Sequence, residues 1–261
     1  MKYKHFILLI LTTITIYSCK TDLDRKEKQT TDKETKIDDK IENANNDIEI
    51  KKSFVNGVNA SNYDGDILNI ITNNKDSLGF IISKATQGIV FIDPTFFQNW
   101  KTSKEKGFVR GAYHFYRCKD DPIQQSKHYL STISDIELTD LPPIVVFEGM
   151  SINDTQSIIE IQNNLFRFIK NIEQKLNRKP IIRTNIVIGN KYLNNPVFAD
   201  YDLWIDDYTK KSNPGLPELW KTKGWTFWSK SDRLRINHII EDSDFFNGNM
   251  NDLKEFIKNN N

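Results

Sequence analysis

The chain has 261 residues, of which 36 are Lys or Arg and 35 are Asp or Glu, so its formal net charge is +1. Phosphate contacts need a concentrated basic surface, and here the lysines are interleaved with acids, which argues against a nucleic-acid-binding protein. The sequence contains no Cys-x-x-Cys, no His-Glu-x-x-His, no phosphate-binding glycine loop and no serine nucleophile elbow. Metal, nucleotide and acyl-transfer chemistry are therefore not indicated, and we expect no cofactor and no metal site.

The first residues have the charge pattern of an export signal, which we predict over residues 1–18. Two lysines precede an apolar stretch, 6–16, that is too short to span a bilayer permanently. A small residue directly before Cys19 resembles the lipobox of bacterial lipoproteins, in which the cysteine is acylated and becomes the mature amino terminus. A free thiol, or a disulfide with Cys118, is the alternative. We therefore expect a lipid-anchored protein of the cell envelope, on an outer-membrane, periplasmic or surface face.

The lipidated cysteine is followed by a polar segment, and residues 19–52 are predicted to form a disordered tether. More than half of residues 20–52 are charged, both signs alternate, and aromatic residues are absent. Such a segment buries too little apolar surface to offset the entropy of ordering it. Residues 53–261 contain nearly all the aromatic residues and are predicted to form one folded domain.

Short apolar runs recur through this domain, with helical stretches between them. The eight runs cover residues 54–58, 79–83, 109–113, 144–147, 180–184, 202–205, 224–228 and 239–245. A spacing of about 20 to 40 residues favours a barrel of alternating strands and helices over a sandwich, in which turn signals come more often. The clearest helix is predicted over residues 154–176, with Asp154 as its N-cap. The predicted fold class is α/β, a TIM-like barrel.

The run at 144–147 ends abruptly in a carboxylate, Glu148. Four apolar residues, mostly β-branched, predict a buried strand, and in parallel barrels the functional groups lie at the carboxyl ends of strands. Glu148 is therefore a candidate proton donor in a cleft. The alternative is an ordinary strand-end glutamate that is solvated or paired with a lysine.

Nine segments of the sequence contain motifs that are specific enough to compare with a known family. They cover residues 57–65, 80–88, 93–96 with Asn99, 111–117, 141–143, 180–182, 203–205, 225–228 and 242–248. In their order along the chain and in their amino-acid motifs, they resemble the glycoside hydrolase family 25 lysozymes, the muramidases related to bacterial and phage autolysins. The resemblance implies a TIM-like barrel with irregular helices. It also implies cleavage, with retention, of the β-1,4 bond between N-acetylmuramic acid and N-acetylglucosamine.

The resemblance also assigns site residues. Family members take their acid from an Asp-x-Glu pair at a strand end, and the Glu of that pair corresponds to Glu148, with Val146 at the Asp position. A second acidic position of the family falls on Asn59, whereas the acid near the carboxyl end of the domain corresponds to Asp242. Two family carboxylates are thus replaced by neutral residues.

Further departures fall on positions that the resemblance places in the cleft. Gln87 stands where the family usually has Glu, Asp64 where it has Gln, Arg183 where it has Tyr, and Ser229 where it has Gln. The predicted substrate-binding residues are Asp64, Tyr113, His114, Phe115, Arg183, Trp204, Asp206 and Trp228, the aromatic ones being ordinary core residues in the alternative interpretation. An Arg183–Glu148 ion pair is expected to quench the acid. Asp242, Asp64 and Asp206 are the candidates for a missing anion.

Three functions are compatible with these patterns. The first is a pseudoenzyme that binds peptidoglycan glycan strands, or that inhibits a muramidase as an immunity factor, without efficient cleavage. The second is an active N-acetylmuramidase with Glu148 as general acid and a relocated anion, because glycoside hydrolysis normally uses two carboxylates. A changed glycan specificity is a third possibility.

Overall fold

The computed structural model describes residues 54–64, 68, 71, 78–209, 211–236 and 239–261, and for 231–236 and 239–242 it describes the backbone alone. The predicted signal, Cys19 and the predicted tether lie outside these residues and stay predictions. Cys118 is a buried free cysteine. Within the described residues, no helix has both the length and the hydropathy that crossing a membrane requires.

Eight strands close into a barrel in the order β1, β2, β4, β5, β6, β7, β8, β9 and back to β1. These strands are β1 (Val55–Ala60), β2 (Leu78–Gln87), β4 (Val109–Phe115), β5 (Ile144–Val146), β6 (Ile181–Asn185), β7 (Leu203–Asp206), β8 (Phe227–Ile236) and β9 (Ile239–Phe246). A short strand, β3 (Phe91–Ile92), pairs antiparallel with the end of β2 outside the barrel. The α/β barrel predicted from the apolar runs is confirmed.

The last strand differs from a regular TIM barrel. Neighbouring strands from β1 to β8 are parallel, but β9 runs antiparallel to both β8 and β1. Only two residues separate β8 from β9. Antiparallel strands can be joined by a two-residue turn, whereas a parallel crossover needs a dozen or more residues, so the short connection dictates this direction.

Five α-helices with defined bounds accompany the strands in the part of the chain that the structure describes. They are α1 (Phe96–Glu105), α2 (Pro122–Thr132), α3 (Ile158–Leu176), α4 (Ile186–Tyr192) and α5 (Met250–Asn259). The predicted α3 begins four residues later than the sequence pattern indicated. Its N-cap is Ser157, whose side chain accepts a hydrogen bond from the Glu160 N–H, and not Asp154. An N-cap oxygen of this kind satisfies one of the otherwise unpaired amides of the first turn.

Two apolar layers result from the alternation of strand side chains. The interior layer includes Phe80, Trp204 and Phe227, and α5 closes it at one end with Leu253 and Ile257. The outer layer lies between the barrel and the helices and includes buried residues of α2 and α3. Each large side chain that is fully buried contributes about 1.5–3 kcal/mol to the free energy of folding, so these two layers stabilise the barrel. The carboxyl ends of β1 to β8 meet at the other end, which we call the mouth.

Candidate active site

Glu148 lies at the mouth, two residues after β5. The Phe147 N–H donates to the Arg183 carbonyl at 2.8 Å, which keeps the chain in the sheet up to this point. The chain then turns into a 3-10 helix, Gly149–Ser151, in which the Glu148 N–H donates to Ser151 Oγ at 3.1 Å. Burial raises the pKa of the half-buried Glu148 carboxyl, and the cations Arg183 and Lys84 offset only part of this effect. Asp206 also raises this pKa by like-charge repulsion.

Arg183 forms an ion pair with Asp206. The Arg183 Nε donates to Asp206 Oδ1 at 2.9 Å, and the two side chains are only 12% and 7% exposed. The guanidinium also lies 4.2 Å from the centre of the Trp204 ring. The expected ion pair between Arg183 and Glu148 is therefore not formed, because the next strand of the barrel, β7, supplies a carboxylate that is better placed.

A second buried carboxylate, Asp244, comes from β9. Asn59 Nδ2 donates to Asp244 Oδ2 at 3.0 Å, the Ser229 hydroxyl donates to Asp244 Oδ1, and Trp204 Nε1 donates to Ser229 Oγ at 2.8 Å. Burial raises the pKa of Asp244 to about 6, although Arg183, Ser229 and Asn59 all favour its charged form. Arg183 interacts with this carboxylate as well as with Asp206, and the two carboxylates raise the pKa of Arg183 despite its burial.

Val146 faces the barrel interior and brings no charge to the mouth. It is 3% exposed and packs in the same apolar layer as Tyr113 and Phe115. Burial raises the pKa of Tyr113, which lies within the electrostatic reach of Arg183, Asp64 and Glu148. The residue two positions before Glu148 is therefore part of the core and supplies no second carboxylate.

Lys84 is a cation of the mouth that was not among the predicted site residues. Its Nζ donates to Gln87 Oε1 at 3.0 Å and lies 5.2–5.6 Å from the ring centres of Phe91, Tyr63 and Phe115. Burial lowers the pKa of Lys84. The signal is present in the sequence, because a lysine inside the apolar run of a central strand is rarely buried without a partner.

Asp64 and Asp93 shape the loops at this end of the barrel. Asp64 Oδ2 accepts hydrogen bonds from the Ser61 N–H at 2.7 Å and from its hydroxyl at 2.8 Å. Asp93, which is 1% exposed, accepts from Asn62 N–H at 3.1 Å and from Thr95 N–H at 3.0 Å. Both carboxylates therefore accept hydrogen bonds from the protein's own loops.

Comparison with known proteins assigns the fold to a family. The model of Glycosyl hydrolases family 25 matches residues 58–239. The chain belongs to this family. The protein YegX of Escherichia coli K12 is 30% identical over 184 residues, which cover 69% of this chain and 63% of that protein. The chain thus spans less than two thirds of the length of this relative.

Two further relatives support the assignment. The N,O-diacetylmuramidase of Arthroderma benhamiae is 27% identical over 189 residues, which cover 69% of this chain and 77% of that protein. The bacterial lysozyme from Streptomyces coelicolor has the same fold, with a TM-score of 0.71 at 22% identity over 81% of this chain and 100% of that chain. The family resemblance predicted from the nine segments is confirmed.

The structure brings several of the positions singled out in the sequence to the mouth. Glu148, Asn59, Val146, Arg183 and Asp206 all belong to this end of the barrel or to its interior layer. Trp204 is fully buried beneath the Arg183 guanidinium, so it supports the mouth from below and does not present its ring to a ligand.

Two predicted groove residues, His114 and Trp228, face away from the mouth. The His114 ring, which is 0% exposed, packs against Phe168 of α3 outside the barrel, and burial lowers its pKa to about 3. Trp228 is 2% exposed and packs in the outer layer against Trp225. Adjacent residues of a strand point to opposite sides, so His114 cannot share a face with Tyr113.

Asp242 and Asp244 are two residues apart in β9. Asp242 belongs to β9, but its side chain lies outside the described residues. Asp244 follows two residues later and is the carboxylate that contacts Asn59. Within the described residues, no group of three or more His, Cys, Asp or Glu side chains is arranged to hold a metal ion.

Proposed function

We propose that this family 25 domain binds peptidoglycan glycan strands and cleaves them poorly or not at all. The observation that carries the proposal is Val146, a buried apolar side chain at the position where the family resemblance places the partner of Glu148. Among the described residues, two buried carboxylates beside Asn59 and Arg183 already have partners: Arg183 for Asp206, and Asn59 and Ser229 for Asp244.

Glycoside hydrolysis explains why these partners matter. The reaction passes through an oxocarbenium-like state, and a second carboxylate normally stabilises the positive charge or bonds to it. An acetamido group of the substrate can act as nucleophile instead, but an anion is still needed to orient it. Asp206 is neutralised by Arg183, and Asp244 already accepts hydrogen bonds from Asn59 and Ser229. Loss of an electrostatic stabiliser costs about 10²- to 10³-fold in rate.

Binding asks less of the site than cleavage. Glu148, Lys84 and Tyr113 provide charged and hydrogen-bonding groups around the mouth, and Tyr63 is an exposed aromatic ring at its rim. Aromatic rings and polar side chains of this kind suit the apolar faces and hydroxyl groups of sugars. The similarity to an N,O-diacetylmuramidase supports a glycan of the same chemical class.

A second candidate is an active N-acetylmuramidase, and the state of Glu148 favours it. A general acid must hold its proton near neutral pH, and burial raises the pKa of Glu148 in that direction. In this case Asp244 would have to supply the anion after losing its proton.

Release of reducing ends from purified peptidoglycan separates the two candidates. The wild type and Glu148→Gln are assayed beside Glu105→Gln, a control that changes an exposed glutamate of α1. We expect no release above background from any of the three, and sedimentation of the wild type with peptidoglycan. Release that disappears only in Glu148→Gln would establish an active muramidase and contradict the proposal.

The cell-envelope location and a protein ligand are part of the same proposal. We propose that Cys19 is acylated and anchors the domain to a membrane of the envelope, which metabolic labelling with a fatty acid should detect in the wild type and not in Cys19→Ala. If peptidoglycan does not sediment the protein, a muramidase is the alternative ligand. Co-purification with a muramidase and loss of that enzyme's activity would then identify an inhibitor or immunity factor.

A further inference from the structure

A cavity of about 340 Å³ lies beside the mouth, and of its lining residues the function proposed above uses Tyr63 alone. We call it the side pocket. It lies between the turn that joins β2 to β3 and the segment that follows β4, and its walls include Tyr63, Val90, Phe91, Arg117, Lys119 and Asp120. Apolar and cationic side chains therefore share one small concave site.

Close contacts hold the two walls of the side pocket together. Gly88, at φ +58°, forms the turn, and its N–H donates to the Phe115 carbonyl at 3.2 Å. A Cβ at this position would lie 2.5 Å from Asp120 Oδ2, so the walls approach each other as far as glycine allows. The pocket is therefore formed before any ligand arrives.

Arg117 connects the side pocket to the mouth. Its Nη1 donates to the Met150 carbonyl at 2.9 Å, in the 3-10 helix that begins directly after Glu148. The cationic wall of the pocket therefore adjoins the segment that carries Glu148.

The charges of the side pocket select the chemistry of this branch. Arg117 and Lys119 are opposed among its walls by Asp120 alone, and the Lys84 ammonium lies behind the pocket, 5.2 Å from the Phe91 ring centre. The guanidinium of arginine binds a carboxylate more strongly than it binds a neutral ligand group, because both hydrogen bonding and charge favour the carboxylate. Tyr63 and Val90 are each 81% exposed, and they offer apolar surface to the remainder of the ligand.

We propose that the side pocket binds a carboxylate of the acidic stem peptide that branches from muramic acid residues, while the glycan strand lies in the mouth. The proposal rests on the proposed function, since it names the part of peptidoglycan that the domain recognises besides the sugars. A short peptide of alanine and glutamate matches a pocket that is apolar on one side and cationic on the other.

The test compares two soluble ligands by calorimetry: the disaccharide of N-acetylglucosamine and N-acetylmuramic acid with its stem peptide, and the same disaccharide without it. We expect the wild type to bind the peptide-bearing ligand about tenfold more tightly, the effect of one charge-assisted hydrogen bond at a partly exposed site. Lys119→Glu should reduce this ratio to below about threefold, and a salt concentration of about 0.5 M should do the same, because exposed charges are screened. Lys101→Glu, an exposed lysine of α1 outside the pocket, should keep the full ratio.

The outcomes separate this inference from the proposed function. Equal affinity of the wild type for both ligands would overturn the side pocket and leave glycan binding intact. Failure to bind either disaccharide would overturn the proposed function, and binding of a free alanyl-glutamate peptide that Lys119→Glu abolishes would then still support the pocket. An unchanged ratio in both Lys119→Glu and Arg117→Gln would refute it.

Discussion

Replacement of Arg183 by methionine tests whether Asp206 is neutralised within the barrel. The side chains of the pair are 12% and 7% exposed, so little solvent can reach their 2.9 Å contact and replace the lost partner. Removal of one member of such a pair leaves an uncompensated buried charge and costs about 3–5 kcal/mol. Asp244 lies within the electrostatic reach of Arg183, so the same change also removes a cation from a second buried carboxylate. Against a typical stability of about 5–15 kcal/mol, this is a large loss.

Urea unfolding at neutral pH measures the effect, with three controls. Arg183→Met combined with Asp206→Leu should recover the part of the lost stability that belongs to this pair, because the unpaired Asp206 charge is removed, while the loss of the cation near Asp244 remains. Arg183→Lys should lie between wild type and Arg183→Met, since an ammonium keeps the charge but not the planar contact with Trp204. Lys101→Met should have little effect, because Lys101 and Glu105 are 71% and 60% exposed.

A loss below about 1 kcal/mol in Arg183→Met would refute the reasoning, because a buried pair cannot be broken so cheaply. Asp206 would then be an available anion, and the case for an active muramidase would strengthen accordingly.

Two other predictions concern the second carboxylate and the lost family positions. Burial raises the pKa of Asp244 from its ordinary value of 3.8 to about 6, so the folded state binds this proton more tightly than the unfolded state does. The contribution of Asp244 to the free energy of unfolding therefore falls by about 3 kcal/mol as the pH rises from about 4 to about 6. Urea unfolding across this pH range should show a smaller loss of stability in Asp244→Asn than in the wild type, and an equal loss would contradict the raised pKa of Asp244. The double variant Asn59→Asp/Val146→Asp introduces acids at the two positions where the family resemblance expects them. It should be less stable than the wild type and release no reducing ends from peptidoglycan, because Asp at position 59 would repel Asp244 and Arg183 would have to balance all of these carboxylates. Measurable release of reducing ends would show a dormant enzyme.

Much of the fold could be predicted from the sequence because its signals are local. The eight apolar runs all correspond to barrel strands, since β-branched residues that are buried on both faces leave a continuous pattern. The apolar runs alone do not reveal the direction of β9. This direction follows from the two-residue connection between β8 and β9, and the length of the connection is known only when the structure shows that β8 continues to Ile236. Asp154 and Ser157 are both suitable N-caps for α3, and only the backbone decides between them.

The site was less predictable because it depends on which strands become neighbours. Glu148 could be predicted because it directly follows the apolar run 144–147 of its own strand. The orientation of His114 follows from the alternation of side chains along β4 once the register of that strand is known. The partner of Arg183 requires the register of β6 with β7, in which Arg183 pairs with Trp204 and Asn185 with Asp206. No local pattern contains that information. Asp244 likewise becomes a site residue only when β9 closes the barrel against β1.

The residue exchanges in the mouth are physically coupled. Asp206 and Asp244 are buried, and two more carboxylates at positions 59 and 146 would add like charges that Arg183 alone could not balance. With Asn59 donating to Asp244 and Val146 apolar, the same space holds a network in which each carboxylate has a partner before any ligand binds. A hydrolase needs the opposite arrangement, in which an anion awaits the positive charge that develops in the transition state. The internal pairing is therefore the physical basis of the proposal that this domain recognises a glycan and does not cleave it efficiently.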